Sequence, residues 1–288
     1  YIIKKMVDEY DTTSLSLTEL GYKLNLSESA TKNLVVEYST LGLMKFNFDQ
    51  DKFFVDQKLI DYVRASQKKK DYDVINIYSD VEASSNAKMN LLNFDLTIKG
   101  VRGIVLSDSQ KVVILPAGQQ VKMKKNRFFE FAGQVKAGRF DFYGKEFSFD
   151  YKQFKINLTN VDSLRIKALT GEKDMNGNPI LKSVKTVIQN VNGDLLIDDF
   201  ANKSGLKDYP EYPIFNSFDK SYVFYDKKEI LDAVYKRGNF YFQLEPFTID
   251  SLDNFSDEQL EFFGTFTSAG IFPEFQENLT LQPDFSLG

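Results

Sequence analysis

Histidine, cysteine and tryptophan do not occur among the 288 residues. Without histidine, the imidazole base of Ser–His and Cys–His catalysis is missing, and so is the commonest metal ligand. Without cysteine there is no disulfide framework, Fe–S cluster or thiolate zinc site. Such a chain is compatible with an oxidising or a reducing compartment. Long apolar runs are also missing. The longest candidate, Val112-Val113-Ile114-Leu115, has strand length, whereas a bilayer-spanning helix needs ~18–20 apolar residues. Basic charge is not in excess: a net charge of −5 and a pI of about 5.1 give no general field for a polyanion.

What is abundant is phenylalanine, 27 residues, with 15 tyrosines beside it. The Phe residues sit in short alternating runs separated by Gly and Asn, the pattern of β-strands. Hydrophobic residues at 42% and charged residues at 27% place the chain among globular proteins, and its length suggests roughly two domains. It opens at Tyr1 without a Met or a charged leader and closes at Ser286-Leu287-Gly288. The expectation is a segment of a longer protein.

Residues 1–70 carry the clearest local signals. Ser16 or Thr18 caps a short helix through residue 24, Asn25-Leu26 turns, and Ser27 caps a second helix to about Leu41. Ala30, Leu34 and Tyr38 recur at helical spacing in that second helix, with Val35 and Leu41 alongside. Gly42 closes it. Residues 43–48 and 52–55 flank Asp49-Gln50-Asp51 as a hairpin, and residues 57–65 read as a further helix. Helix, tight turn, helix and two-stranded wing over residues 16–56 resemble a winged helix-turn-helix module. That family reads DNA with its second helix in the major groove. Here the exposed positions of that helix are Glu28, Ser29, Lys32, Asn33 and Glu37, and between Glu28 and Lys45 two Glu cancel two Lys. A DNA reader needs several Lys or Arg against phosphates. The expectation is a packing or protein-contact module, and nucleic acid is not an expected partner. Lys68-Lys69-Lys70 is taken as the only basic run, and it reads as a linker after the wing.

From residue 71 onward the texture is that of strands: residues 71–78, a pair within 91–106 broken at Gly100 and Gly103, and 111–115 ended by Pro116-Ala117-Gly118. The densest stretch runs from Phe128 to Leu158. Phe129, Phe131 and Val135, then Phe140 and Phe142, then Phe154, Ile156 and Leu158 alternate with polar partners such as Glu130, Gln134, Asp141 and Lys155. This is the pattern of half-buried strands. Asn176-Gly177 and Asn192-Gly193 are hairpin-turn signals. Two prolines make residues 208–213 a crossover loop, since proline cannot donate to a ladder. Residues 228–236 and 257–262 are the fair helix candidates.

Several groups invite a chemical reading. Asp174-Met175-Asn176-Gly177-Asn178 follows the opening of a calcium loop, but its sixth position is Pro179 and its twelfth Lys185, so a hairpin turn is expected. Asp250, Asp253, Asp257, Glu258 and Glu261 could supply the paired carboxylates of a glycosidase, or serve as caps and solvated face, which is the reading preferred. Phe-rich strands could line a lipid groove or fill a sandwich core. Asp11-Thr12-Thr13, Asp162-Ser163-Leu164 and Asp250-Ser251-Leu252 resemble the Asp-Ser/Thr-apolar acceptor of exported Bacteroidota proteins. They make Thr12, Ser163 and Ser251 candidate O-glycosylation positions, the alternative being ordinary turns.

Four stretches carry a wider resemblance: residues 125–133 (Lys-Asn-Arg-Phe-Phe-Glu-Phe-Ala-Gly), 140–147 (Phe-Asp-Phe-Tyr-Gly-Lys-Glu-Phe), 209–215 (Tyr-Pro-Glu-Tyr-Pro-Ile-Phe) and 270–275 (Gly-Ile-Phe-Pro-Glu-Phe). They resemble the interior of very large envelope proteins of Bacteroidota. The resemblance implies export and a non-catalytic role, and brings no active site with it.

The expectation is therefore an α+β chain. A small winged-helix-like module, residues 1–70, precedes a mainly antiparallel β body, residues 71–288, built as a sandwich or an elongated curved sheet within a longer repeat-like β architecture. The expected function is a non-enzymatic structural or protein-interaction segment of a larger exported envelope protein, periplasmic or outer-membrane associated. No catalytic residue, cofactor or metal is assigned. Tyr209, Tyr212 and Phe215 are the candidate partner contacts, and envelope or secretion-machinery proteins the expected partners. The alternatives are a lipid or glycolipid along a Phe-lined groove and a DNA-binding regulator.

Overall fold

The computed structural model describes residues 1–71, 75–82, 85–226, 232, 234–256, 258 and 260–288. The chain divides into two units, residues 1–73 and 74–288. The described residues are β-rich, with four α-helices and a large antiparallel sheet.

The first unit runs α1 (Ile2–Tyr10), β1 (Ser14–Ser16), α2 (Leu17–Leu24), α3 (Glu28–Thr40), β2 (Met44–Asn47), β3 (Lys52–Val55) and α4 (Gln57–Ser66). The strands form a small antiparallel sheet in the order β1-β3-β2. Local chemistry sets the helix starts. Ser16 Oγ accepts the Glu19 N–H at the head of α2, and Ser27 Oγ accepts the Ala30 N–H at the head of α3. Asp51, just before β3, accepts from Ser16 Oγ (2.8 Å) and the Thr18 N–H (3.1 Å), tying the hairpin to α2. Hydrogen bonds from Ser16 and Thr18 hold its carboxyl below the usual range, against a smaller opposing effect of burial. Met6, Leu20, Val35 and Phe53 form the fully buried centre.

The helix face foreseen in α3 needs correction. It buries Thr31 and Val35, leaves Leu34 and Tyr38 half-buried, and exposes Leu41 by 54%. The reason is a close approach to α2: a Cβ at Gly21 would sit 2.9 Å from Thr31 Oγ1, so the smallest residue meets a β-branched one and the two axes come together there. Neither α1 nor β1 was foreseen.

In the second unit the strands are β4 (Ala87–Met89), β5 (Leu96–Lys99), β6 (Ile104–Ser107), β7 (Val112–Met123), β8 (Phe129–Ala137), β9 (Phe140–Asp150), β10 (Lys155–Lys173), β11 (Pro179–Ser183), β12 (Ile188–Gln189), β13 (Val191–Leu196), β14 (Ile214–Ser217), β15 (Ser221–Phe224), β16 (Phe240–Leu244), β17 (Thr248–Ile249), β18 (Glu261–Ser268) and β19 (Phe275–Thr280). Among the described residues these 16 strands make one antiparallel sheet, β19-β18-β16-β15-β12-β10-β9-β8-β7-β5-β4 along its main path. The 19-residue β10 is the pivot. It pairs with β9 along one side and with β13, β12 and β11 in turn along the other. From β13 a branch continues to β14 and β17.

Phe142 of β9 and Phe215 of β14 are not on neighbouring strands, yet their rings lie 4.9 Å apart. The sheet therefore folds back over itself and encloses a single core. Phe129, Phe131, Phe140, Phe142, Phe147 and Phe149 are all buried in that one cluster. These rings fill the core, and Phe131 and Phe147 also line the floor of a surface pocket of about 510 Å³ between β7, β8 and β9. Burying so many large apolar side chains is the main source of stability for such a body.

Several strand-level expectations are overturned. Residues 75–78 form no strand; residues 72–74 lie outside the described residues. β7 runs on past Pro116 to Met123, because a register shift against β8 between Pro116 and Val121 absorbs the missing donor. Asn176-Gly177 does lie in the turn joining β10 and β11, but Asn192-Gly193 lies inside β13. An added Cβ at Gly193 would overlap the Asn216 carbonyl oxygen and come within 2.8 Å of the Phe215 ring, so that glycine serves strand-to-strand packing. Asp141, expected on the solvent face, is only 6% exposed and pairs with Lys167 at 2.8 Å. Of the two helix candidates, residues 232 and 258 have 3-10 conformation, residues 234–236 are not helical, Glu261 and Phe262 open β18, and residues 228–231, 233, 257 and 259 lie outside the described residues. No helix among the described residues is long and apolar enough to cross a membrane.

Candidate functional site

The loop after β13, residues 198–213, cannot use ladder hydrogen bonds, and it is fixed instead by side chains. Asp198, Asn202 and Gln110 are 2%, 2% and 6% exposed. The Asn202 amide donates to both Asp198 carboxylate oxygens (3.1 Å each) and to the Lys207 carbonyl (2.9 Å), while its own oxygen accepts the Lys207 N–H (2.9 Å). Gln110 Nε2 donates to Asp198 Oδ2 (3.2 Å), and the Asp199 N–H to Oδ1 (2.7 Å). A buried carboxylate is tolerated when its lone pairs are filled in this way. Burial still pushes the Asp198 carboxyl above the usual range, with the hydrogen bonds from Asn202 and Gln110 pulling the other way.

The far end of the loop is anchored to residues 251–252. The Ser251 N–H donates to the Glu211 carbonyl (2.7 Å), its hydroxyl to the Pro210 carbonyl (2.8 Å), and the Leu252 N–H to the Pro213 carbonyl (3.1 Å). Between this loop, the turn at Ser109–Lys111 and Asp253-Asn254 lies a cleft of about 580 Å³. Tyr209 and Tyr212 stand on its wall, their rings 6.5 Å apart and tilted by 60°. Lys111 pairs with Asp253 across it at 3.1 Å, and Lys207 Nζ is 5.9 Å from the Tyr209 ring centroid. Burial raises the Tyr212 phenol above its ordinary value, and the negative charges of Asp199, Glu211 and Asp198 add to this. The tyrosine therefore stays a protonated hydrogen-bond donor at neutral pH. Two rigid aromatic faces, a phenol donor and balanced charge at the rim suit recognition of a polar chain.

Of the three expected partner contacts, Tyr209 and Tyr212 come together at this cleft. Phe215 does not: it is fully buried in β14 against Phe142 and Phe247, because residue 215 follows the strand alternation into the core. The three candidate glycosylation positions are scattered. Thr12 is exposed, its Oγ1 accepting the Ser14 N–H. Ser163 lies within β10 opposite Tyr143, and so not in a turn. Ser251 spends its hydroxyl on Pro210.

The acidic group of residues 250–261 does not converge. Asp253 pairs with Lys111, Glu261 accepts from Asn278, and Asp257 lies outside the described residues. Asp174 accepts the N–H groups of Asn176 (2.8 Å) and Asn178 (2.9 Å), and these bonds, Asn178 first, lower its pKa. It closes a turn. Among the described residues no group of three or more His, Cys, Asp or Glu is placed to hold a metal ion.

The buried trio of Asp198, Asn202 and Gln110 was missed. Its one local signal is an Asp-Asp-x-x-Asn run directly after an apolar strand; Gln110, 88 residues away, gives none. A second basic run, Lys122-Met123-Lys124-Lys125-Asn126-Arg127, was also passed over. The chain matches no protein-family model, no curated protein and no solved structure.

Proposed function

We propose that this chain is a non-enzymatic protein-interaction segment of a larger exported cell-envelope protein, and that the cleft beside Tyr209 and Tyr212 is its partner contact. One observation carries the reading: the loop bearing both tyrosines is pinned from beneath by Asp198, Asn202 and Gln110. Pre-ordering of this kind lowers the entropy cost of binding. The envelope setting, periplasmic or outer-membrane, and the secretion-type partners rest on the resemblance of residues 125–133, 140–147, 209–215 and 270–275. The first unit is read as a winged-helix-like docking module, supported by its helix–strand–helix–helix–hairpin order and its β1-β3-β2 sheet. A protein contact is preferred to DNA for α3 because Lys32 is paired with Glu28 on its exposed face.

A photo-crosslinking residue at position 212 of the parent protein in cells tests the reading. The expected result is a discrete adduct with an envelope protein, and affinity for that partner about tenfold or more weaker for Tyr212→Ala. Absence of a discrete adduct, or a partner bound equally by Tyr212→Ala, refutes this assignment of the site.

A further inference from the structure

Two hairpin turns leave the sheet at the same end. Residues 90–95 join β4 to β5, and residues 124–128 join β7 to β8. Their positions follow from register: Leu96 pairs with Met123, and Met123 with Phe129.

The first turn presents Leu91, Leu92 and Phe94 at 76%, 93% and 56% exposure. Part of its backbone is satisfied from within: the Leu92 N–H donates to Asn90 Oδ1 (2.9 Å), the Phe94 N–H to the Asn90 carbonyl (2.8 Å), and the Asp95 N–H to Asn93 Oδ1 (3.0 Å). Each donor paired inside the turn lowers the cost of entering a medium poor in hydrogen bonds.

The second turn carries the basic run. Lys124 is neutralised by Asp95 (2.9 Å) and Glu130 (3.4 Å). Lys125 and Arg127 are exposed and have no carboxylate partner among the described residues. Lys125 Nζ is 5.5 Å from the Phe94 ring centroid, so a cation stands directly beside the apolar tip. The Arg127 guanidinium lies 4.8 Å over Tyr151, in the turn from β9 to β10, next to the exposed Lys152. An apolar tip with Lys125 beside it and further cations at the same end of the sheet, on a chain of net charge −5, fits a surface that is negative outside and apolar just beneath.

We propose that this end of the sheet docks on an anionic lipid bilayer. Leu91, Leu92 and Phe94 enter the acyl boundary, and Lys125, Arg127 and Lys152 meet lipid phosphates. The site is distinct from the Tyr209–Tyr212 cleft and stands without the envelope reading. One such tip gives reversible attachment, not anchoring.

Flotation of the 288-residue chain with vesicles of phosphatidylcholine alone, or with about one third phosphatidylglycerol, tests this. The expected result is partition onto the anionic vesicles that falls as salt is raised. The double variant Leu92→Ser/Phe94→Ser lowers the partition coefficient about tenfold or more. Lys125→Glu/Arg127→Glu abolishes the preference for anionic lipid while thermal midpoints stay unchanged. Failure to float with anionic vesicles, floating that ignores lipid charge, or equal floating of the Leu92→Ser/Phe94→Ser variant overturns the proposal. So does self-association in light scattering that disappears with Leu92→Ser, which would give the tip to a second copy of the chain.

Discussion

Removing the amide of Asn202 tests whether the cleft wall is held from beneath. In Asn202→Ala the Asp198 carboxylate loses the donor it shares between both oxygens, and the Lys207 N–H and carbonyl lose their partners. Two neutral hydrogen bonds at about 1 kcal/mol each and one to a buried charge at about 1.5–3 kcal/mol predict a loss of about 3.5–5 kcal/mol. The loss also has a pH signature. Burial already raises the Asp198 carboxyl, and Asn202 is the foremost hydrogen bond opposing that rise. Without it the folded-state pKa climbs further. A carboxyl with a raised folded pKa contributes its stability in full below the unfolded value, near ~3.9, and loses it as pH rises through the folded value. The deficit of Asn202→Ala is therefore largest at neutral pH and shrinks on acidification. Urea unfolding followed by far-UV circular dichroism, at neutral pH and again at about pH 4.5, measures both effects, with an unchanged denaturant slope confirming the same unfolding reaction. A loss below about 1 kcal/mol, or a deficit that does not shrink in acid, would refute the reasoning.

Two further outcomes follow from backbone placement. Gly193→Ala forces a methyl toward the Asn216 carbonyl and the Phe215 ring, and is expected to cost about 2–3 kcal/mol by urea midpoint; a neutral effect would mean that residue 193 does not lie inside β13. Asp51→Ala removes the acceptor of Ser16 and Thr18 and destabilises the first unit by about 0.5–1 kcal/mol, the low end of capping losses because this carboxylate is exposed. Since the folded pKa of Asp51 is lowered, its contribution is present above the unfolded carboxylate pKa and lost as pH falls through the folded value, so wild type and variant converge in acid. Hydrogen exchange at the Thr18 amide reads this locally; a gap that persists in acid counts against the role.

Local signals were legible where one segment supplies both partners. The caps Ser16 and Ser27, the hairpin around Asp51 and the alternating Phe of β8 and β9 could all be read from residues a few positions apart. The alternation also held the answer for Phe215, an inward position of β14, but its neighbours Tyr212 and Pro213 suggested a continuous exposed loop. Asn192-Gly193 misled for a related reason: the dipeptide suits a tight turn equally well as a close strand crossing, and only Asn216, on another strand, selects the latter.

The sequence by itself determined a β-rich chain behind a helical module, because period-two alternation and capping are short-range properties of the backbone. It also determined that these 288 residues offer no imidazole and no thiol. Only the tertiary structure decided that one sheet folds over its own Phe face, that Gln110 meets Asp198 beneath the two tyrosines, and that Leu92 and Lys125 share one end of the sheet. These depend on pairing register and on contacts between residues far apart along the chain, and no local propensity encodes them.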